Sequence, residues 1–218
     1  MSKITIDKIN KIISGRCPSP IGYYRFYSVL VPLVEKDNQI HVLYEVRSEL
    51  LLHQPGEVCF PGGAMEEGET EEECAIRETC EELGIKADTI KITGQLDTLY
   101  TYSNFVMYSF LGVIPYEELI KGIPNKEEVK EYFLVPLKYL MEKSPYIYKM
   151  EVVPDIKSDF PYDIVNFKEG YNWRKGRGEV PIYSYEDKVI WGLTARITKR
   201  MVEIIKGEEG GGAKLVLK

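Results

Sequence analysis

Three glutamates fall within five residues, Glu78, Glu81 and Glu82, in the run RETCEELG at residues 77–84. On a helix, carboxylates at i, i+3 and i+4 repel one another, each like-charge pair costing about a few tenths of a kcal/mol. Something has to compensate. A solvated acidic face is the plain reading of most Glu-rich helices, but these three keep unusual company. Hard carboxylate oxygens from adjacent turns suit Mg²⁺ or Mn²⁺, which turn repulsion into shared coordination, keep several waters and meet the phosphates of a substrate. Just upstream, Phe60, Pro61, Gly62 and Gly63 place two glycines where backbone comes close to something, so a main-chain carbonyl can join such a shell. Arg77 stands beside Glu78 and two helical turns after Glu69, with forked donors able to tie loop to helix and to orient carboxylates.

The elements that position these groups are marked locally. Thr70 with Glu73 three residues on makes a capping box, and Gly84 supplies a stop, which predicts a helix over 70–83. At 100° per residue Ile76, Thr79, Cys80 and Leu83 form a stripe facing the core, while Glu78, Glu81 and Glu82 gather with Glu71 on the opposite side. Residues 26–35 and 40–47 read as strands of a hairpin across a polar turn at 36–39. Further strands are expected within 89–100, 106–114 and 128–137, the last leading into a short helix around 137–141. Strands with helices at intervals favour a mixed α/β arrangement. Ile6, Ile9 and Ile13 behind a cap at Thr5 predict a short helix packed on the body. Residues 145–181 lack periodicity and read as a long ordered insertion, and 185–206 read as the longest helix. The expected organisation is one domain over 1–206, with a flexible tail at 207–218.

Composition narrows the function. The 218 residues carry 28 Lys and Arg against 34 Asp and Glu, a net charge of −6. Residues 66–82 hold nine Glu and one Arg, leaving the rest of the chain slightly basic at +2. That is no footprint for nucleic acid. No stretch approaches the roughly 18 to 20 apolar residues of a membrane span, and the first residues lack the apolar core of a secretory leader. The four cysteines form no CxxC pair and the histidines number two, so zinc is not expected. Reduced thiols and a cytoplasmic location fit best.

The residues Gly63, Glu69, Arg77, Glu78, Glu81, Glu82, Gly84 and Ile85 fit, position by position, the Nudix box G-x5-E-x7-R-E-U-x-E-E-x-G-U, where U is a bulky aliphatic residue; Thr79 alone departs from it. At residue frequencies of about 5 to 7%, seven invariant positions coincide by chance on the order of 10⁻⁸ to 10⁻⁹ per start site. The chain therefore resembles a Nudix hydrolase. The resemblance implies an α/β Nudix fold, a mixed β-sheet sandwiched between α-helices, and cleavage of a nucleoside diphosphate linked to another moiety. It also implies Mg²⁺ or Mn²⁺ held by Glu78, Glu81, Glu82 and the Gly63 carbonyl, with Glu81, Glu82 and Arg77 at the catalytic centre and Glu69 and Gly84 holding the box together. Water attacks phosphorus directly. Its proton goes to Glu81 or to a glutamate of the 125–131 loop, Glu127, Glu128 or Glu131.

Upstream, VRSELLLHQPGEVCFPGG at residues 46–63 resembles the signature of the coenzyme A pyrophosphatase branch, LLTxRS-x3-R-x3-G-x3-FPGG. Leu52 stands where that branch has a second Arg, and Tyr44 and Glu45 replace its Leu and Thr. The resemblance implies a small-molecule substrate of the coenzyme A class, cut to 4′-phosphopantetheine and adenosine 3′,5′-bisphosphate, with Arg47, Phe60, Pro61 and Gly62 contacting it. Tyr100, Tyr102 and Phe105 are candidates to stack on adenine or, more readily, to pack in the core. Lys168, Arg174, Lys175 and Arg177 offer charge for a 3′-phosphate. The alternatives are a hydrolase of ADP-ribose, dinucleotides or damaged nucleoside triphosphates, and, from a different class, a Nudix-fold module that senses a nucleotide without cutting it.

Overall fold

A computed structural model describes residues 4–207. The Thr5-capped helix is present as α1 (Ile6–Ser14), the Thr5 hydroxyl accepting from the Lys8 amide at 3.3 Å. It does not pack on the body as expected: none of its residues is buried, and Ile6, Ile9, Ile12 and Ile13 face outward.

The hairpin forms from β1 (Arg25–Lys36) and β2 (Gln39–Arg47). They pair antiparallel from Leu33↔Val42 to Lys36↔Gln39, and the two turn residues, Asp37 and Asn38, both take positive φ. Such a turn matches the twist of the flanking strands. Beyond the pairing the strands diverge. β1 then takes β4 (Gly62–Ala64), while β2 takes β3 (Val58–Cys59). Helix α2 (Glu71–Leu83) follows, then a 3₁₀ turn at Ala87–Thr89, β5 (Lys91–Gln95), β6 (Leu99–Tyr100) and β7 (Phe105–Val113). β7 runs parallel to β1, from Arg25↔Phe105 to Leu33↔Val113, and its other edge carries β5 and β6 antiparallel. A helical turn, α3 (Tyr116–Leu119), leads to β8 (Val129–Pro136), which lines the outer edge of β2. The sheet is therefore mixed.

Its two faces are covered by different helices. On one, Leu30, Val34, Leu43 and Phe110 meet Ala75 and Leu83 of α2. On the other, Val29, Val31, Val42 and Tyr44 meet α4 (Leu137–Glu142) and α5 (Gly192–Ile205). Burial on both faces along the middle of β1 and β2 explains why each strand reads as nearly continuous hydrophobics. This is the α/β architecture expected of the fold.

Two expectations at the C-terminal end fail. Residues 145–181 are not irregular throughout, because β9 (Tyr146–Val152) and β10 (Gly176–Tyr185) pair antiparallel and only the connection between them is loop. Gly176, Gly178 and Pro181 mask the strand pattern. Residues 185–191 are not helical either: β10 turns at Glu186, which has positive φ, into β11 (Lys188–Trp191), and α5 starts only at Gly192. Trp191, the last residue of β11, is exposed. Of the expected tail at 207–218, residues 208–218 lie outside the described residues.

Candidate active site

Helix α2 is capped at both ends as the sequence implies. Thr70 accepts from the Glu73 amide at 3.2 Å while Glu73 accepts from the Thr70 amide at 2.8 Å. Gly84 closes the helix in the left-handed region, and a Cβ there would strike the Ile123 carbonyl. Only glycine satisfies both demands. Thr79, the one departure from the box, is fully buried and donates its hydroxyl to the Ala75 carbonyl at 2.6 Å, so its polar atom is satisfied.

β4 lies on β1 through Ser28↔Gly63 and Val29↔Gly62, and this brings the glycine pair directly against α2. A Cβ on Gly62 would strike Ser28 and Val29, and one on Gly63 would overlap the Glu78 carboxyl group. The Gly62 amide donates to Glu82 Oε2 at 2.8 Å, and the Cys74 thiol makes a long contact of 3.8 Å with the Gly63 carbonyl. Glycine backbone and helix carboxylates form one wall.

The acidic face is not the solvated side of the helix. Glu82 is 6% exposed, and burial, with Glu78 and Glu128 nearby, pushes its pKa well above the ordinary carboxylate range against the opposing effects of the Gly62 amide and Arg47. Burial also raises the pKa of Glu78, although Arg77 opposes it. Glu81 sits on the exposed rim. Arg77 grips Glu69 in a two-pronged contact, Nε to Oε2 at 3.0 Å and Nη2 to Oε1 at 2.9 Å. It also donates to Glu78 at 2.9 Å, Glu81 at 3.3 Å and the Ala64 carbonyl at 3.3 Å. The Arg77 hydrogen bonds hold the Glu69 pKa down at about 2. Loop and helix are thereby clamped, as the spacing of Glu69 and Arg77 predicts.

A second loop closes on the C-terminal end of α2. The Asn125 amide donates to the Glu82 carbonyl at 2.9 Å, and the Ser48 amide donates to the Glu128 carbonyl at 2.8 Å. Ser48 Oγ also donates to the Lys126 carbonyl at 3.1 Å. These bonds bring Glu128 close enough to raise the pKa of both Glu78 and Glu82. Its two neighbours are elsewhere. Glu131 is paired with Lys188 at 2.7 Å, and Glu127 is exposed.

The residues expected to touch substrate divide in two. Arg47 is half-buried, facing Glu45 and Glu82 electrostatically and donating through Nε and Nη2 to the His53 carbonyl at 3.4 Å. Gly62 presents its amide to Glu82. Phe60 and Pro61 are turned inward: Phe60, 3% exposed, stacks on Tyr44 at 4.8 Å, and the Pro61 carbonyl accepts from the Leu30 amide at 2.9 Å. Phe60 thus supports the wall from behind. Tyr100 and Tyr102 are exposed, not core residues.

Two residues at the site escaped sequence reasoning. Ser48 anchors the 126–128 segment. Glu45, in the middle of β2, is buried, and neither carboxylate oxygen accepts a hydrogen bond from a donor group. A charged residue flanked by apolar ones inside a strand is the signal that could have found it. Among the described residues no three His, Cys, Asp or Glu side chains are gathered tightly enough to hold a metal ion; Glu78 and Glu81 are engaged by Arg77, and Glu82 by the Gly62 amide.

Compared with known proteins, residues 25–154 match the NUDIX domain family, a span from β1 to just past β9 that includes the whole wall. The chain belongs to this family. It is a Nudix pyrophosphohydrolase, acting on phosphorus-containing anhydrides. It is 34% identical over 170 residues to Nudix hydrolase 3 of Caenorhabditis elegans, covering 77% of this chain and 68% of the relative. It is 32% identical over 145 residues to the peroxisomal coenzyme A diphosphatase NUDT7 of Mus musculus, covering 66% of this chain and 59% of that one. In three dimensions it is similar to a MutT/nudix family protein from Enterococcus faecalis, with TM-score 0.50 and 16% identity over 94% of this chain and 71% of that chain. That likeness concerns the fold alone. Among the described residues no helix is long and apolar enough to cross a membrane.

Proposed function

We propose that this Nudix hydrolase splits the diphosphate of coenzyme A or a derivative, in a reaction that depends on Mg²⁺ or Mn²⁺, to 4′-phosphopantetheine or its derivative and adenosine 3′,5′-bisphosphate. The observation that carries the reading is the wall itself, with Glu78 and Glu82 drawn into the protein against the Gly62–Gly63 backbone. Carboxylates removed from water beside one another need a cation. Their donor set, carboxylate oxygens with a main-chain carbonyl at Gly63, fits a hard divalent ion. Glu78, Glu81, Glu82 and the Gly63 carbonyl would hold it, the ion competing with Arg77 for Glu78 and Glu81. When bound, it supplies charge neutralisation of the diphosphate oxygens and a lowered pKa for the attacking water.

The chain's own groups do the rest. Arg77 keeps the box loop on α2 through Glu69, fixing where the carboxylates stand. Glu128, the loop glutamate that acts electrostatically on Glu78 and Glu82, would take the water's proton. Arg47 brings positive charge to the acidic group, and the exposed Leu50 and Leu52, which follow it in sequence, offer apolar surface to a pantetheine arm. The coenzyme A assignment draws further support from the 46–63 signature and from the similarity to a coenzyme A diphosphatase.

The test is incubation of the protein with coenzyme A and Mg²⁺ in ¹⁸O-water, with products identified by mass spectrometry beside ADP-ribose, diadenosine polyphosphates and oxidised nucleoside triphosphates. Label in a single product phosphate, with coenzyme A turned over fastest, is the expected result. Preference for ADP-ribose defeats the substrate assignment, and no turnover of any diphosphate defeats the catalytic reading in favour of a nucleotide sensor.

A further inference from the structure

Glu45 is the anomaly of the core. It sits in β2 with Tyr44 and Val46 on either side, pairs across the sheet with Cys59 and Tyr132, and is 1% exposed. Neither of its carboxylate oxygens accepts a hydrogen bond from a donor group, and the side chain lies within hydrogen-bond reach of the Glu82 carboxyl group. An ionised carboxylate in that state costs several kcal/mol unless something of opposite charge stands by it. The neighbour that acts on it most strongly is another buried acid, Glu82, and Glu128 adds a third negative group. Arg47 is a cation acting on it in the opposite sense, and its Nε and Nη2 are engaged by the His53 carbonyl. Glu82, for its part, spends one oxygen on the Gly62 amide.

Two buried carboxyl groups set against each other and closed off from water present the oxygen donors that a hard cation takes. The box does not account for this, since Glu45 lies outside it, on β2. We propose that Glu45 is a ligand of an inner divalent cation, Mg²⁺ or Mn²⁺, shared with Glu82 and additional to the ions held by the α2 carboxylates alone. The inference rests on the reading that Glu82 binds metal. It makes β2 part of the metal centre and gives a buried carboxylate that lacks a hydrogen-bond donor a partner.

The test is Mn²⁺ titration of the full chain followed by electron paramagnetic resonance, on native protein and on Glu45→Gln, Glu45→Thr and Glu78→Gln. Circular dichroism reports folding. Both Glu45 variants should bind one Mn²⁺ fewer per chain, or bind their last ion at least tenfold more weakly, whereas Glu78→Gln should retain the inner ion. Unchanged number and affinity in the Glu45 variants overturns the inner site while leaving the diphosphatase reading standing. A native protein that binds no Mn²⁺ sinks both. Should the Glu45 variants fail to fold, native crystals soaked in Mn²⁺ decide. An anomalous peak about 2.1 Å from a Glu45 oxygen supports the site, and peaks confined to Glu78, Glu81 and Glu82 refute it.

Discussion

The Gly63 backbone and the Glu78 carboxyl group occupy adjoining space so closely that a single methyl on Gly63 would overlap the carboxylate. The box glycine is therefore set by a side chain across the loop, not by a turn. Gly63→Ala should push Glu78 aside and lower divalent-metal affinity at least tenfold, with kcat/KM falling in step, as read by Mn²⁺ titration and diphosphate hydrolysis. Gly94→Ala, where an added Cβ meets nothing within 4 Å, should leave both within twofold. Equal behaviour of the two variants would contradict the account.

The loop glutamates differ in a way that kinetics can read. Glu128 acts on Glu78 and Glu82, whereas Glu131 is committed to Lys188. Loss of a general base costs about 10² to 10⁴ in rate. Glu128→Gln should lose about 10²-fold or more in kcat with little change in KM, and Glu131→Gln should stay within twofold. The reverse order would move the proton-accepting role away from Glu128.

Stability of the metal-free protein should depend on pH with a definite sign. The Glu82 pKa rises from 4.5 to about 8 on folding, and Glu45 and Glu78 shift the same way. Groups raised on folding favour the folded state below their unfolded pKa, and that benefit is lost as pH climbs toward the folded value. Glu69, held down at about 2, does the opposite, its contribution disappearing as pH falls from 4.5 toward 2. In chelator, the urea midpoint should therefore be higher near pH 5 than near pH 8, and should fall again in stronger acid. Adding Mg²⁺ at pH 8 should close most of the gap. A midpoint that climbs from pH 5 to pH 8 without metal would be incompatible with buried, uncompensated carboxylates.

What the sequence reveals follows how local the determining physics is. Helix α2 is legible because Thr70, Glu73 and Gly84 are capping signals read within a few residues. The clamp between Glu69 and Arg77 is legible too, two turns apart on the same segment. The burial of Glu82 is not. On a helical wheel it belongs with Glu78 and Glu81, and only its bond to Gly62, brought under the helix by strand pairing with β1, draws it inward. Glu127, Glu128 and Glu131 look alike in sequence, and tertiary contacts from Ser48 and Lys188 tell them apart. The β10–β11 hairpin was hidden because its turn, Glu186 and Asp187, carries no glycine or proline, and because Ile190 and Leu193 happen to extend the α5 spacing backwards.

The central claim, that the α2 carboxylates serve diphosphate hydrolysis through a divalent cation, is tested most directly by the turnover of Glu82→Gln across a Mg²⁺ titration, with folding checked in parallel. The account predicts a folded protein whose kcat at saturating Mg²⁺ is lower by about 10³-fold. A folded Glu82→Gln variant that turns over as fast as native protein would contradict it.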